Sequence, residues 1–476
     1  MSVLVTTRAA VGALVLALAG CASVSPPRPA AELPLTPQRW SAADRTTEVD
    51  GAVPLQRWWT AFGDPGLTEL VEAALAANPD LAGAAAAVAQ ARALRDVARA
   101  ATGPAVDASA AVQRGRVGSA PAGTTVRAGL DAGWEVDWFG RRAAALRAGD
   151  ADVAASEANL GLVRLTLAAE VAATYFEGWG ARERLRVAQQ SLAAQLDSLE
   201  LTQWRVQAGL ASALDLETAR AAVEQTRASL PVLEVSVRQS MHALAVLTGR
   251  APGAELPDPP AAAPAPPTAW TLPLPADVLR QRPDVAAAQA RLQAAFARAD
   301  QAEAARWPTL RLGGSLSLAA PRVADLFDVT ALTRALALNL AATVFDGGAA
   351  QAQARAQAAA AEQARAALAA TLLEALRDVE NALVALAGDR ERLLRLQDAV
   401  SAARQAEQLA TQRYAAGLID YRAMLEAQRT LLALQGDLAA ARTAWTVGHV
   451  RLVKALGGGW SPTDVGPGPL AATVQP

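Results

Sequence analysis

The sequence predicts a mainly α-helical chain that meets a membrane through a small β-barrel, and three observations carry that prediction. The 476 residues repeat themselves at an offset of 204 to 208 positions. Each half holds an uninterrupted helical pattern of 68 residues. Each also holds strand-like segments in which apolar and polar residues alternate. The chain is 52% hydrophobic, yet after the first 20 residues no stretch of 18 or more apolar residues lacks a charge, so no transmembrane helix is readable. A bilayer could then be crossed only by a closed barrel. A formal net charge of -2 argues against a nucleic-acid binder, and the single cysteine excludes a disulfide scaffold or a Cys-rich metal site.

In chain order, residues 1–20 read as a secretory signal. Arg8 closes a short n-region, and Ala9 to Ala19 form an apolar run too short to span a bilayer. Leu18-Ala19-Gly20-Cys21 resembles a bacterial lipobox, which implies cleavage before Cys21, a diacylglycerol on its thiol and an acyl chain on the new N-terminus. Beyond that covalent lipid no cofactor is expected. Ala22 stands where lipoproteins retained at the inner membrane carry Asp, which implies the outer membrane. The competing reading is an incidental cysteine in an uncleaved leader. Residues 21–57, rich in Pro, Ala and polar groups, suit an extended tether.

Two copies of one unit follow, at 58–250 and 276–460, with a linker of nine prolines at 251–275 and a tail at 461–476. Asn78-Pro79-Asp80 is answered by Arg282-Pro283-Asp284, Phe139 by Phe345, and Gly209-Leu210 by Gly417-Leu418. Each copy opens with an Ala-rich helix of 23 residues from its proline. Strands come next, at about 104–139 and 308–345. Val126, Ala128, Leu130, Ala132, Trp134, Val136 and Trp138 alternate with polar or glycine neighbours, as do Leu310 to Leu318 and Leu336 to Val344. The remaining strand, about Ala105 to Arg114, alternates only weakly. Long helices run over 141–208 and 349–416, and Leu372, Leu376, Val379, Leu383 and Leu386 mark a heptad seam. Gly209 and Gly417 end these helices, and return helices cover 211–247 and 420–456.

At about 1.5 Å per residue the long helix reaches roughly 100 Å, and the leading and return helices laid end to end nearly match it. The chain therefore descends from its strands to a tip at Gly209, climbs halfway, crosses the linker, finishes the climb and repeats. Four strands cannot close a barrel, for which about eight are the minimum. Three copies supply twelve, enough for a lumen.

The tail from Tyr414 to Trp460 resembles the TolC family of outer-membrane efflux channels, specifically its lipidated NodT-like branch that pairs with resistance-nodulation-division (RND) pumps. Trp58-Trp59, Phe62, Asp64 and Asn78-Pro79-Asp80-Leu81 are similar to that branch's opening, and Leu279-Arg280-Gln281-Arg282-Pro283-Asp284-Val285 to its mid-chain signature. The resemblance implies a TolC-like fold: a homotrimer with a 12-stranded outer-membrane barrel and a periplasmic coiled-coil barrel. Its implied partners are a periplasmic adaptor (membrane fusion protein), an inner-membrane RND pump and outer-membrane lipid. It also implies a gate at the helix tips. Asp215 corresponds to an aspartate that pairs with a tyrosine, here Tyr414, and Glu426 falls where relatives carry an acidic residue. Threefold symmetry would make Glu426 a ring of carboxylates that attracts cations. Asp420 and Arg422 join the same group, around the turns at Gly209 and Gly417. Position 419 is Ile where some relatives carry a gate-bridging Arg. The bland reading of Arg422 and Glu426 is an i,i+4 pair on a solvated helix face.

Other residues offer little chemistry. His242 and His449 lack the neighbours of a metal site and read as helix-end packing. No nucleophile elbow, P-loop or dinucleotide fingerprint is present, so no enzyme is expected. Trp134, Trp138 and Phe139 suit an aromatic girdle at a strand end, with core packing as the alternative. The functional expectation is a passive exit duct for an efflux pump. The alternatives are a duct for type I protein secretion and, in a different class, a non-pore structural coiled coil of the envelope.

Overall fold

The computed structural model describes residues 37–41, 55–116, 118, 122–257, 266 and 275–461. The signal at 1–20, Cys21, most of the tether and of the linker, and the tail beyond Ser461 lie outside the described residues. In the first repeat the elements are a 3₁₀ segment (Leu55–Phe62), α1 (Pro65–Ala77), α2 (Pro79–Ala100), β1 (Ala105–Gly115), β2 (Gly123–Val136), α3 (Arg141–Gln207) and α4 (Ala213–Leu247). In the second they are α5 (Pro275–Gln281), α6 (Pro283–Ala304), β3 (Thr309–Ala320), β4 (Leu332–Ala341), α7 (Ala349–Ala415) and α8 (Tyr421–Ala455). The chain divides into two units, each assembled from both repeats.

One unit contains 91–153 and 290–369. Its sheet has the order β1-β2-β3-β4, antiparallel throughout. Even-numbered positions form an apolar face on which Val106, Val112, Leu130, Leu316, Leu336, Leu338 and Leu340 are exposed. Odd-numbered positions, including Gln113, Arg127, Asp131, Glu135 and Arg311, form the polar face. The weakly alternating segment is a full strand because β2 pairs with it from Ala105↔Gly133 to Gly115↔Gly123, so backbone ladder bonds decide where side-chain pattern does not.

Two strands stop short of their expected limits. β2 ends at Val136 because Asp137 turns to cap α3, its carboxylate accepting from the Arg142 and Ala143 amides at 3.0 and 2.7 Å. Trp138 and Phe139 therefore lie beyond the strand, with Phe139 stacked on Trp307 at 5.5 Å, while Trp134 remains on it and donates to the Thr102 carbonyl at 2.9 Å. β4 ends at Ala341, since Asp346 caps α7 through the Gly348 and Ala350 amides, both at 2.8 Å. Alongside the sheet, Arg298 and Asp152 (2.5 Å) and Arg147 and Asp300 (3.4 Å) bridge α6 to α3.

The other unit contains 37–41, 55–90, 154–257, 266, 275–289 and 370–461 among its described residues. Its core joins Trp58, Phe62, Leu67, Leu70 and Val71 to Tyr175, Phe176, Val453 and Leu456. The helix α1 precedes the first expected one. It starts where Asp64 accepts from the Gly66 and Leu67 amides at 2.9 and 3.1 Å with Pro65 at the first helical position. The other Asp64 oxygen accepts from the Tyr175 hydroxyl at 2.8 Å, and burial together with that bond pushes the Tyr175 hydroxyl pKa up.

The two halves of the repeat meet at matching junctions. Asn78 donates to the Leu247 carbonyl at 3.0 Å, and Arg282 donates to the equivalent Ala455 carbonyl at 2.8 Å. Burial of Arg282 opposes its charge, but Asp284 and Asp378 outweigh that and hold its pKa up.

Candidate gate at the helix turns

The long helices α3 and α7 end in the same hydrogen-bonded turn. Gly209 and Gly417 each have φ of 74°, a region open to glycine and unfavourable to residues with a Cβ. Leu210 donates to the Arg205 carbonyl at 2.7 Å and Gly209 to Val206 at 3.0 Å; Leu418 donates to Arg413 and Gly417 to Tyr414, both at 2.9 Å. This paired pattern satisfies carbonyls that the helix end would otherwise leave unbonded. The return helices start by capping. Ser212 and Asp215 exchange side-chain bonds with each other's backbone amides at 3.1 Å. In the second repeat Asp420 holds the equivalent place and accepts from the Ala423 amide at 2.9 Å.

These turns surround one cleft, lined by Arg205, Ser212, Asp215, Tyr414, Asp420 and Tyr421 together with both turn glycines. Tyr414 and Tyr421 pack edge to face at 5.7 Å over a small core containing Ala219, Ala222, Met424 and Leu425. The Arg205 guanidinium sits over the Tyr414 ring, 4.6 Å from its centroid, and donates to the Tyr414 carbonyl. Burial, with Tyr414 and Asp215 close by, pushes the Tyr421 hydroxyl pKa up to about 12. It therefore stays neutral at physiological pH.

Behind the cleft runs a chain of buried polar groups. Thr202 donates to the Ser198 carbonyl at 2.8 Å, so in its 2.9 Å contact with Tyr414 the tyrosine hydroxyl is the donor. Ser198 Oγ donates to Ala194 at 2.9 Å and accepts from Gln428 Nε2 at 3.0 Å. The Oε1 atoms of Gln195 and Gln428 are buried without a hydrogen-bond partner.

The expected pairing of Asp215 with Tyr414 is not formed within the protomer. Asp215 is held by Ser212, whose hydroxyl donates to it at 2.7 Å, and the Tyr414 hydroxyl is held by Thr202. Asp420 is a helix cap. Arg422 and Glu426 are both exposed on α8, with no ion pair between them. Thr202 and Ser198 lie outside the motifs that carry the family resemblance, and Gln428 lies inside one, two residues after Glu426, without a role of its own there. Their signal is positional: Gln428 follows Tyr421, Met424 and Leu425 on the buried seam of α8, where a polar side chain must find a partner. His449 is buried against Trp445, and burial pulls its pKa down to about 4. Among the described residues no cluster of His, Cys, Asp and Glu could hold a metal.

Comparison with known proteins fits this geometry. The family profile described as "Outer membrane efflux protein" matches residues 70–250 and 274–458, one block in each repeat. The pyoverdine export outer membrane protein OpmQ of Pseudomonas putida is 35% identical over 471 residues, covering 94% of this chain and 97% of the relative. Nodulation protein T of Rhizobium leguminosarum bv. trifolii is 28% identical, covering 94% and 96%. The structure of the outer-membrane channel OprN superposes with a TM-score of 0.83 at 32% identity, covering 89% of this chain and 98% of that one. The open-state Neisseria gonorrhoeae MtrE channel gives 0.78 at 27% identity, covering 90% and 98%. The chain belongs to the outer membrane efflux protein family, with the TolC-type fold and an outer-membrane location.

Proposed function

We propose that the protein is the exit duct of a tripartite RND-type efflux system, passively conducting small molecules and controlled at its helix turns. The observation that carries this reading is the sheet: four strands with one polar face, one apolar face and free edges at β1 and β4. Three copies close those edges into a barrel that presents the apolar face to lipid and the polar face to a lumen. The family resemblance supports a periplasmic adaptor at the tips, where Leu210, Leu214 and Leu418 are exposed. Cys21 carries the lipid anchor, and Glu426 forms a carboxylate ring at the constriction.

The transported class is small organic molecules, since one relative is named for pyoverdine export and another, at 30% identity, for toluene efflux. Reconstitution of the purified protein into planar bilayers tests the duct. Cation-selective conductance is expected, with selectivity or divalent block altered by Glu426→Ala. A pure trimer without conductance under any condition would sink the reading.

A further inference from the structure

Two arginines interrupt the apolar face of the sheet. The even-numbered positions of β1 read Val106, Ala108, Ala110, Val112 and Arg114, and those of β4 read Leu332, Arg334, Leu336, Leu338 and Leu340. Both arginines are exposed, and neither belongs to an ion pair among the described residues. Both also lie toward the same end of the sheet. β2 and β4 lead into the long helices at one end, while the β1–β2 turn and the 321–331 connection lie at the other. The helices of an outer-membrane channel of this fold extend into the periplasm, so the turns face outward. Arg114 is one residue from the outer end of β1, and Arg334 is two from the outer end of β4.

The register brings them together across a closed barrel. The row of paired residues through Arg334 passes through Leu316 and Leu130 to Ala108. Arg334 is two residues from its outer strand end and Ala108 is seven from its own, so the strands slant across the row as barrel strands do. For strands tilted about 35–45° and spaced about 4.8 Å apart, with about 3.3 Å per residue, four strands advance the pairing by about four to six residues. The strand that closes against β4 is β1 of the next copy. An advance of four from Ala108 puts Val112 opposite Arg334 and Arg114 on its diagonal; an advance of six puts Arg114 directly opposite. The two side chains are within about 8 Å in either case.

Paired guanidinium groups on a lipid-facing surface repel each other unless an anion lies between them. Near the headgroup level the available anion is lipid phosphate, and guanidinium is suited to binding it with two hydrogen bonds. The neighbouring surface suits a lipid as well. Leu326 packs on Val126 and Ala320 of the even-numbered face, which lays the 323–327 turn against the lipid side with Val323 and Phe327 exposed. The connections at this end carry Arg116 and Arg322 as well as Asp325 and Asp328, two charges of each sign.

We propose that each seam between copies binds the phosphate of an anionic outer-leaflet glycolipid through Arg334 of one copy and Arg114 of the next, three sites per trimer. The site rests on the reading of the sheet as one third of a barrel. Native mass spectrometry of the full-length trimer with added diphosphorylated lipid A, and with the same lipid dephosphorylated, tests it. Wild type and Arg127→Gln, on the opposite face, are expected to retain up to three phosphorylated lipids and to bind the dephosphorylated form much more weakly. Arg114→Gln with Arg334→Gln should remain trimeric and lose roughly thirtyfold in affinity. Arg334→Lys, which keeps the charge, should stay within a few-fold of wild type. Wild-type affinity in the double variant, or equal binding of the two lipids by the wild-type protein, would overturn the site. A wild-type monomer would overturn the barrel reading and the site with it.

Discussion

At the scale of single residues, the hydroxyl pair behind the cleft is asymmetric. Tyr414 donates to Thr202, and Thr202 has a second bond to the Ser198 carbonyl. Tyr414→Phe removes a donor and leaves Thr202 bonded, so it is expected to destabilise the trimer by about 0.5–1.5 kcal/mol. Thr202→Val keeps the shape but strands the Tyr414 hydroxyl in a buried place, for a loss of about 1–3 kcal/mol. Thermal unfolding of the two variants should rank them in that order; the reverse order would show that the tyrosine hydroxyl has another acceptor in the trimer. His449 makes a pH prediction. Its pKa is about 4 when folded, from burial, and about 6.5 in an unfolded chain. Between those values the unfolded state binds more protons, so stability rises with pH. The contribution is complete above about pH 6.5 and is lost as pH falls toward 4, up to about 3 kcal/mol per copy. His449→Gln should narrow the gap between melting temperatures at pH 7.5 and 4.5, and an unchanged gap would assign that sensitivity to other groups.

Among elements, the turns and the junctions use glycine for different reasons. At Gly209 an added Cβ meets nothing within 4 Å, so Gly209→Ala is expected to lose only the backbone preference, about 1 kcal/mol. At Gly249 and Gly457 the φ values are 72° and 90°, and a Cβ would also fall 2.5 Å from the Ala77 carbonyl oxygen and 2.8 Å from that of Gln281. Alanine there must push α1 or α5 away, so a loss of more than about 3 kcal/mol is expected. Equal melting shifts at positions 209 and 249 would show that the junction yields freely.

The two kinds of glycine were unequally legible in the sequence. Gly209 and Gly417 end long periodic runs, which makes them readable as helix stops. Gly249 and Gly457 matter through contacts far along the chain, which periodicity does not report. The same holds for α1, a 13-residue helix resting on the Asp64 cap, and for β1, whose pairing partner defines it. At the turns, family motifs pointed to Asp215 and Tyr414 but not to Thr202 and Ser198. Their role depends on α3 lying beside α7 in a particular rotation, which no local pattern encodes.

For the whole molecule, the face that meets lipid is decided by the parity of the strands. Leu338 and Ala337 are adjacent near the middle of β4 and point to opposite faces. An arginine at a lipid-facing midplane position is unfavourable by about 2–4 kcal/mol per copy, and threefold symmetry multiplies this to about 6–12 kcal/mol per trimer. At Ala337 the same charge enters a water-filled lumen, where Ala337 pairs with Gly313 and has room beside it. Leu338→Arg is therefore expected to abolish the trimer recovered from outer-membrane fractions, assayed by its mobility on unheated gels. Ala337→Arg should assemble in wild-type amounts but conduct cations less well in planar bilayers. Normal assembly of Leu338→Arg would mean that the apolar face is covered by protein, in which case the strands pack against another partner and the duct must cross the membrane elsewhere.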